Sequence, residues 1–445
     1  MPVLSSLSRY QEQAQAQADA LQQLAPQPCS VADTGLTEVL LVDLLCKHLH
    51  DAGVLDMPQL VERLALPGPV LEELLAFLRK DGRIEVLGQV GSQGLRYGLT
   101  ERGRSAARDA LARSGYLGPA PYPVDRYRQL LLAQTVHHCE IDAHSMHEAF
   151  ADIVIRDELL DQLGPAMNSG RAMMIYGPPG TGKTYISQRL IRLFSDAVWI
   201  PHAIAINETV LEILDPQLHK PLPLEPKKPN LRLDQGVDRR LVRCQRPIVI
   251  TGGELTMDML DVRFDPYNRQ YQAPLQLKAS NGIFIIDDLG RQRMPPLELF
   301  NRWIVPMEEK KDFLNLGGGR HCEIPFDLLL VFSTNLNPLT LADEAFLRRI
   351  GYKLHFEHLR ADEYARIWQQ ECEKQGVPYD PELVTYVIEH LHQPTQTPLL
   401  PCHPRDLLGM ALDRQRYLGG DKTAALCAET LSWAWRNYFV SLETS

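Results

Sequence analysis

The stretch Gly177-Pro178-Pro179-Gly180-Thr181-Gly182-Lys183-Thr184 decides the reading of this chain. It has the spacing G-x-x-x-x-G-K-[ST] at every defined position. Ala172-Met173-Met174-Ile175-Tyr176 leads into it as a short apolar run, which predicts a buried strand. Tyr185 follows it, and Ile186, Leu190, Ile191 and Phe194 then recur at helical spacing. Strand, glycine-rich loop and helix together make a cradle for phosphate, because backbone N–H groups and the start of the helix point at the anion. In such a cradle Lys183 reaches the outer phosphates and Thr184 holds Mg²⁺. Residues 177–185 are therefore the candidate nucleotide-binding segment.

The chain has 445 residues, enough for several domains. Its net charge of -10 argues against bulk affinity for nucleic acid and leaves only a local basic patch open. Eight cysteines stand at 29, 46, 139, 244, 322, 372, 402 and 427 with no C-x-x-C pair, which suits a reducing compartment. There is no signal-like start and no apolar run of bilayer length, so a cytoplasmic chain without membrane insertion is expected.

Downstream of the loop stands Gly282-Ile283-Phe284-Ile285-Ile286-Asp287-Asp288. Four apolar residues ending in carboxylates predict a buried strand that delivers acid to its C-terminal edge, where ligands bind in open α/β sheets. Asp287 would hold Mg²⁺ through water, and Asp288 would polarise an attacking water. Leu328-Leu329-Leu330-Val331-Phe332-Ser333-Thr334-Asn335 is a second such strand.

In this order the motifs resemble those of the AAA+ ATPases over roughly 150–440. The resemblance implies that Asn335 orients water against the γ-phosphate. It implies that Arg348, with Arg349 close behind it in Asp343-Glu344-Ala345-Phe346-Leu347-Arg348-Arg349, enters the neighbouring subunit's site. It also implies that Arg405, in His403-Pro404-Arg405-Asp406-Leu407 at the start of a lid helix, contacts the γ-phosphate. Lid helices are expected at 361–375, 381–391, 405–417 and 423–439. One departure stands out: most of the family places Glu where this chain has Asp288.

Upstream, 1–34 reads as a tail with a helix over 9–24. Residues 35–113 read as helices at 37–52, 57–65 and 70–80, strands at 83–87 and 95–99, and a closing helix. This resembles a winged-helix domain. Ten Lys/Arg against eleven Asp/Glu over 36–115 favour protein docking over DNA, although Arg96, Arg102 and Arg104 lie near the wing. Residues 114–150 form a linker and connector, in which His137, His138, Cys139, His144 and His147 match no zinc spacing.

The core is expected over 151–356 and an all-α lid over 357–445. A hairpin at 313–326 resembles that of the MoxR-type, magnesium-chelatase-type and enhancer-binding AAA+ groups. Residues 263–272 fall where those relatives build a second pore-facing loop, which would present Tyr267 and Tyr271. Segment 202–247 reads as a hairpin and a Pro- and Lys-rich loop. The chain also resembles a bacterial group labelled "ATPase with chaperone activity", some of it associated with pilus or secretion loci.

The fold expected is thus an α/β P-loop AAA+ core with a parallel sheet, an all-α C-terminal lid and an N-terminal winged-helix domain. The function expected is that of a Mg²⁺-dependent, ring-forming ATPase, by resemblance a hexamer, that remodels a protein partner. The rivals are a DNA-associated helicase loader or regulator and a nucleotide-gated scaffold.

Overall fold

The computed structural model describes residues 24–88, 94–138, 140–194, 196–223, 237–316, 319–419 and 426–439. The helix expected over 9–24 falls almost wholly outside them.

At the centre is a five-stranded sheet in the order Ile248–Thr251, Ile283–Ile286, Leu329–Thr334, Met173–Tyr176, Tyr352–His355, with every neighbouring pair parallel. Its inner strands are near-continuous apolar runs because both faces are covered. Alternation then sorts them. Met174, Phe284, Ile286, Leu330 and Phe332 pack with Phe300 and Trp303 of helix Pro296–Glu309. Met173, Ile175, Ile283, Ile285 and Val331 pack with Leu160 and Leu163 of helix Asp157–Ser169 and with Ile186. Parallel pairing brings the strand ends Tyr176, Ile286 and Thr334 to one edge, so the residues after them meet there. The strand before Asn335 lies between the loop strand and the Asp287 strand.

The helix after the loop is shorter than its periodicity suggests. It runs over Lys183–Arg189 and continues as a 3₁₀ turn, Leu190–Leu193. The C-terminal helices Ala361–Gln375, Pro381–Tyr386, Cys402–Tyr417 and Ala428–Tyr438 close on Tyr364, Trp368, Leu407, Leu408 and Trp435. The third starts one turn earlier than expected, which makes Arg405 its fourth residue rather than its first. Pro404 sits in its opening turn, where a missing N–H breaks no helix bond.

The N-terminal module contains helices Glu38–Ala52, Met57–Leu64, Gly68–Lys80 and Glu101–Arg113 around Leu41, Leu45, Leu60, Leu71 and Leu78. Strands Ile84–Leu87 and Arg96–Leu99 pair antiparallel. A third strand, Val54–Asp56, pairs with Arg96–Leu99 and was not expected. It buries only Leu55, and Asp56 also caps the next helix by accepting from Gln59 N at 2.9 Å. Three residues with one buried side chain give no readable alternation.

The two insertions merge. Ala203–Ile206 and Thr209–Glu212 form the expected hairpin, and Gln270–Gln272 adds to Thr209–Glu212 in parallel. Arg263–Asp265 and Tyr122–Pro123 extend the same sheet at its two ends. The 263–272 tip rests on the N-terminal module's exit: Gly115 N donates to Arg269 O at 3.0 Å, and Gln270 Nε2 donates to Gly115 O at 3.2 Å. A Cβ on Gly115 would lie 1.7 Å from Asn268 O, so only glycine fits there. The other expected hairpin pairs Lys311–Asn315 with His321–Pro325. It turns Leu314, Cys322 and Ile324 inward, and Arg128 donates to Glu323 O at 2.8 Å.

Two buried arginines tie the remaining segments together. Arg240 pairs with Asp238 and donates to Thr34 O and Pro121 O. Arg246 pairs with Asp196 and donates to Gln134 O and Asn281 O. No helix among the described residues is long and apolar enough to cross a membrane.

Candidate nucleotide site

The loop depends on backbone that only glycine adopts freely. Gly177, Gly180 and Gly182 have φ of 147°, 78° and 89°. Gly177 also approaches Phe356, whose carbonyl oxygen a Cβ would meet at 2.0 Å. Lys183 is buried, and its Nζ donates to Gly177 O at 3.0 Å and Pro178 O at 2.7 Å. Burial lowers its pKa, against the pull of the Asp287 and Asp288 carboxylates. The ammonium therefore rests on neutral carbonyls.

Thr184 Oγ1 donates to Asp287 Oδ2 at 2.7 Å, which joins the loop helix to the central strand end. The next residue, Asp288, has φ of 48°, a left-handed backbone. Asn335 Nδ2 donates to Asp288 Oδ1 at 2.9 Å. The turn is clamped by a residue the sequence did not single out: Gln292 Nε2 donates to Asp287 O at 2.9 Å and to Asp288 O at 3.2 Å, and Gln292 Oε1 accepts from Gly290 N at 2.8 Å.

Of the two candidate arginines, Arg349 is already engaged. It donates to Glu308 Oε1 at 2.6 Å and to Ala345 O at 2.5 Å. Arg348 is exposed, and among the described residues its guanidinium has no ion pair. Arg405 is mostly exposed and donates to its neighbour Asp406 at 2.8 Å. It does not line the cleft described next. The residues just before its helix do touch the loop: a Cβ on Gly180 would stand 2.9 Å from Leu400, and one on Gly182 3.8 Å from Pro401.

Beside the loop a cleft of about 410 Å³ runs between core and lid, walled by Ile155, Arg156 and Tyr185 on one side and by Leu359, Glu363 and Lys374 on the other. That volume suits a small organic ligand. Tyr185 is half-exposed, with the Arg189 guanidinium 4.5 Å from its ring centroid.

The other sequence candidates separate. Tyr267 is 95% exposed on a tip fixed by Asp265, which accepts from Tyr267 N at 2.9 Å. Tyr271 is instead half-buried against Phe264, 4.9 Å away. Arg102 and Arg104 are ion-paired with Asp81 and Glu101. Among the described residues no three His, Cys, Asp or Glu side chains converge as metal ligands; Cys139 and the His138 side chain lie outside them.

Residues 360–437, the helical C-terminal part, match the model of a family described as a domain of unknown function (DUF8689). No curated protein matches the chain. Among solved structures the chain is similar to NtrX from Brucella abortus, with 15% identity and a TM-score of 0.38 over 63% of this chain and 56% of that one. It is also similar to a Thermotoga maritima RuvB mutant, with 12% identity and a TM-score of 0.36 over 63% of this chain and 70% of that one. A third is the FIGL-1 AAA domain in complex with ADP, with 14% identity and a TM-score of 0.33 over 69% and 85%. The chain thus spans little more than half the length of the NtrX chain it matches. At these scores the likenesses carry no weight beyond themselves.

Proposed function

We propose that this chain is a Mg²⁺-dependent AAA+ ATPase that acts as a ring and uses hydrolysis to remodel a protein partner. The observation that carries the reading is the convergence, at one edge of the sheet, of Lys183, the Thr184–Asp287 pair and the Asp288–Asn335 pair.

The donor set fits the nucleotide and its metal. The loop forms a cradle of left-handed glycines, and Thr184 and Asp287 offer adjacent hard oxygens of the kind Mg²⁺ takes alongside phosphate and water. Mg²⁺ bound there would neutralise charge on the β- and γ-phosphates. The chain's own groups do the rest. Lys183 would exchange two neutral carbonyls for phosphate oxygens, a charge-assisted and stronger bond. Asp288 would orient the attacking water and accept its proton, and Asn335 would hold that carboxylate in place. Arg348 would enter the neighbouring subunit's site, since Arg349 is held by Glu308 within its own chain. Arg405 would sense the γ-phosphate from the lid.

The N-terminal module, read as a winged helix, would select the partner, by resemblance a component of a pilus or secretion system. Two of its three wing arginines, Arg102 and Arg104, are paired with carboxylates that would repel a phosphate backbone, which favours protein over DNA. Domain limits of 35–113, 151–356 and 357–445, and a hexameric ring, belong to the same proposal.

The test is steady-state ATP hydrolysis by the wild type and Asp288→Asn across protein concentration, with and without duplex DNA. Turnover that rises with concentration, ignores DNA and is lost in Asp288→Asn is expected. Stimulation by DNA would instead favour the DNA-associated rival. Nucleotide binding without turnover under every condition would favour a scaffold.

A further inference from the structure

Arg156 stands just before helix Asp157–Ser169, on the core wall of the cleft, yet all its described side-chain bonds cross to the lid side. Its guanidinium donates to Glu363 Oε1 at 2.6 Å and Oε2 at 3.1 Å, to Glu357 Oε2 at 2.9 Å, and to His358 O at 2.7 Å. Glu363 lies in the first turn of helix Ala361–Gln375 with its side chain only 8% exposed, and its Oε2 also accepts from Arg360 N at 2.7 Å. Burial, the largest influence, would raise the Glu363 pKa; the Arg156 contact and the Arg360 backbone N–H together hold the carboxyl below its ordinary value. A two-point guanidinium–carboxylate contact fixes orientation as well as distance.

That orientation is passed on. Leu359 N donates to Leu399 O at 3.1 Å, so the start of the lid is bonded to the segment that carries Leu400 and Pro401 onto the loop glycines. Helix Ala361–Gln375 packs through Trp368 on Leu407 and Leu408 of the helix that bears Arg405. The angle set at Arg156 therefore bears on where the helix that carries Arg405 stands relative to the loop.

We propose that Arg156 is a positioning residue that fixes the lid against the core and thereby gives the site its preference for nucleoside triphosphate over diphosphate. This rests on the reading of 177–184 as an ATP cradle with Arg405 at the γ-phosphate. Arg156 acts through the lid groups it holds, Glu357, His358 and Glu363, and so through Arg405.

The experiment uses the full chain and measures dissociation constants for ADP and ATPγS in the wild type, Lys183→Ala, Arg405→Ala, Arg156→Ala and the Arg156→Ala/Arg405→Ala double variant. Glu363→Gln, which keeps the shape and removes the charge, serves if Arg156→Ala does not fold. The wild type should favour ATPγS. Arg156→Ala should lower that preference about tenfold or more, on the scale of a lost charged hydrogen bond, and leave ADP affinity nearly unchanged. The double variant should lose no more preference than the stronger single, and Arg156→Lys should restore part of it. Equal weakening of both nucleotides by Arg156→Ala, or losses that multiply in the double variant, would overturn the proposal and leave Arg156 as a wall brace. If Lys183→Ala leaves binding unchanged, the cradle reading itself fails and takes this one with it. An unchanged preference in Arg405→Ala removes the premise that Arg156 works through the lid.

Discussion

The two edges of the central sheet treat charge in opposite ways. At the loop edge Lys183 rests on neutral carbonyls, and Asp287 has a threonine hydroxyl as its side-chain partner. At the opposite edge, where Ile248–Thr251 and Ile283–Ile286 begin, Arg246 is buried with a two-point bond to Asp196 and donates to Gln134 O and Asn281 O. A charge satisfied by its own chain holds the fold together. A charge left on weak partners can be given to a ligand or a neighbour. Basic side chains thus build structure at one edge and stay available at the other.

The largest effect expected is at Arg348, which is exposed and without an ion pair among the described residues while Arg349 is held by Glu308. Arg348→Ala should spare nucleotide binding and cut turnover by roughly 10³ or more, the scale of an arginine supplied to a transferring phosphoryl group. Arg349→Ala should cost far less. If the two outcomes are exchanged in hydrolysis assays, the availability of an arginine in one chain does not identify the finger. Next is Arg246→Ala, which leaves Asp196 unpaired and should destabilise the fold by roughly 3–5 kcal/mol in denaturant titration. A neutral result would mean that the opposite edge is not structural.

The lid sharpens the contrast with a third treatment, a polar group kept uncharged. His403 is buried among His392, Tyr438 and Phe439 with Nδ1 unpartnered, and burial lowers its pKa to about 4. Its folded value lies below its unfolded one, so the unfolded chain takes the proton first. Stability should be full above about pH 6.5 and fall toward about pH 4, by up to about 3 kcal/mol. The difference in unfolding free energy between wild type and His403→Phe, followed from pH 7 to 4.5, reads this contribution; a flat difference would sink it. The smallest effect belongs to Arg102→Ala. That exposed pair with Asp81 should be worth less than about 0.5 kcal/mol by thermal or chemical melting.

What the sequence made legible follows from the chemistry it serves. Phosphate cradling needs glycines, a lysine and a hydroxyl at fixed spacing, so residues 177–184 announce themselves. A buried strand that ends in polar residues is equally plain at Asp287 and Asn335. Gln292 and Arg156 were not legible, because their partners are a backbone turn and a helix more than 200 residues away. Nor was the joining of 203–212 with 263–272, since pairing between two short strands leaves no mark on either. The helix that bears Arg405 starts a turn earlier than expected, because Pro404 reads as a helix boundary and instead occupies an opening turn.

Asp288 stands in the place where most of the resembled family has glutamate. Its left-handed backbone is one that aspartate and asparagine enter far more readily than most residues. Shape and charge are therefore separate demands at this one position. An asparagine would inherit the turn without the acid, and a glutamate would inherit the acid but strain the turn. A variant without the acid would keep the architecture of the turn and lose only what the proposed hydrolysis asks of it.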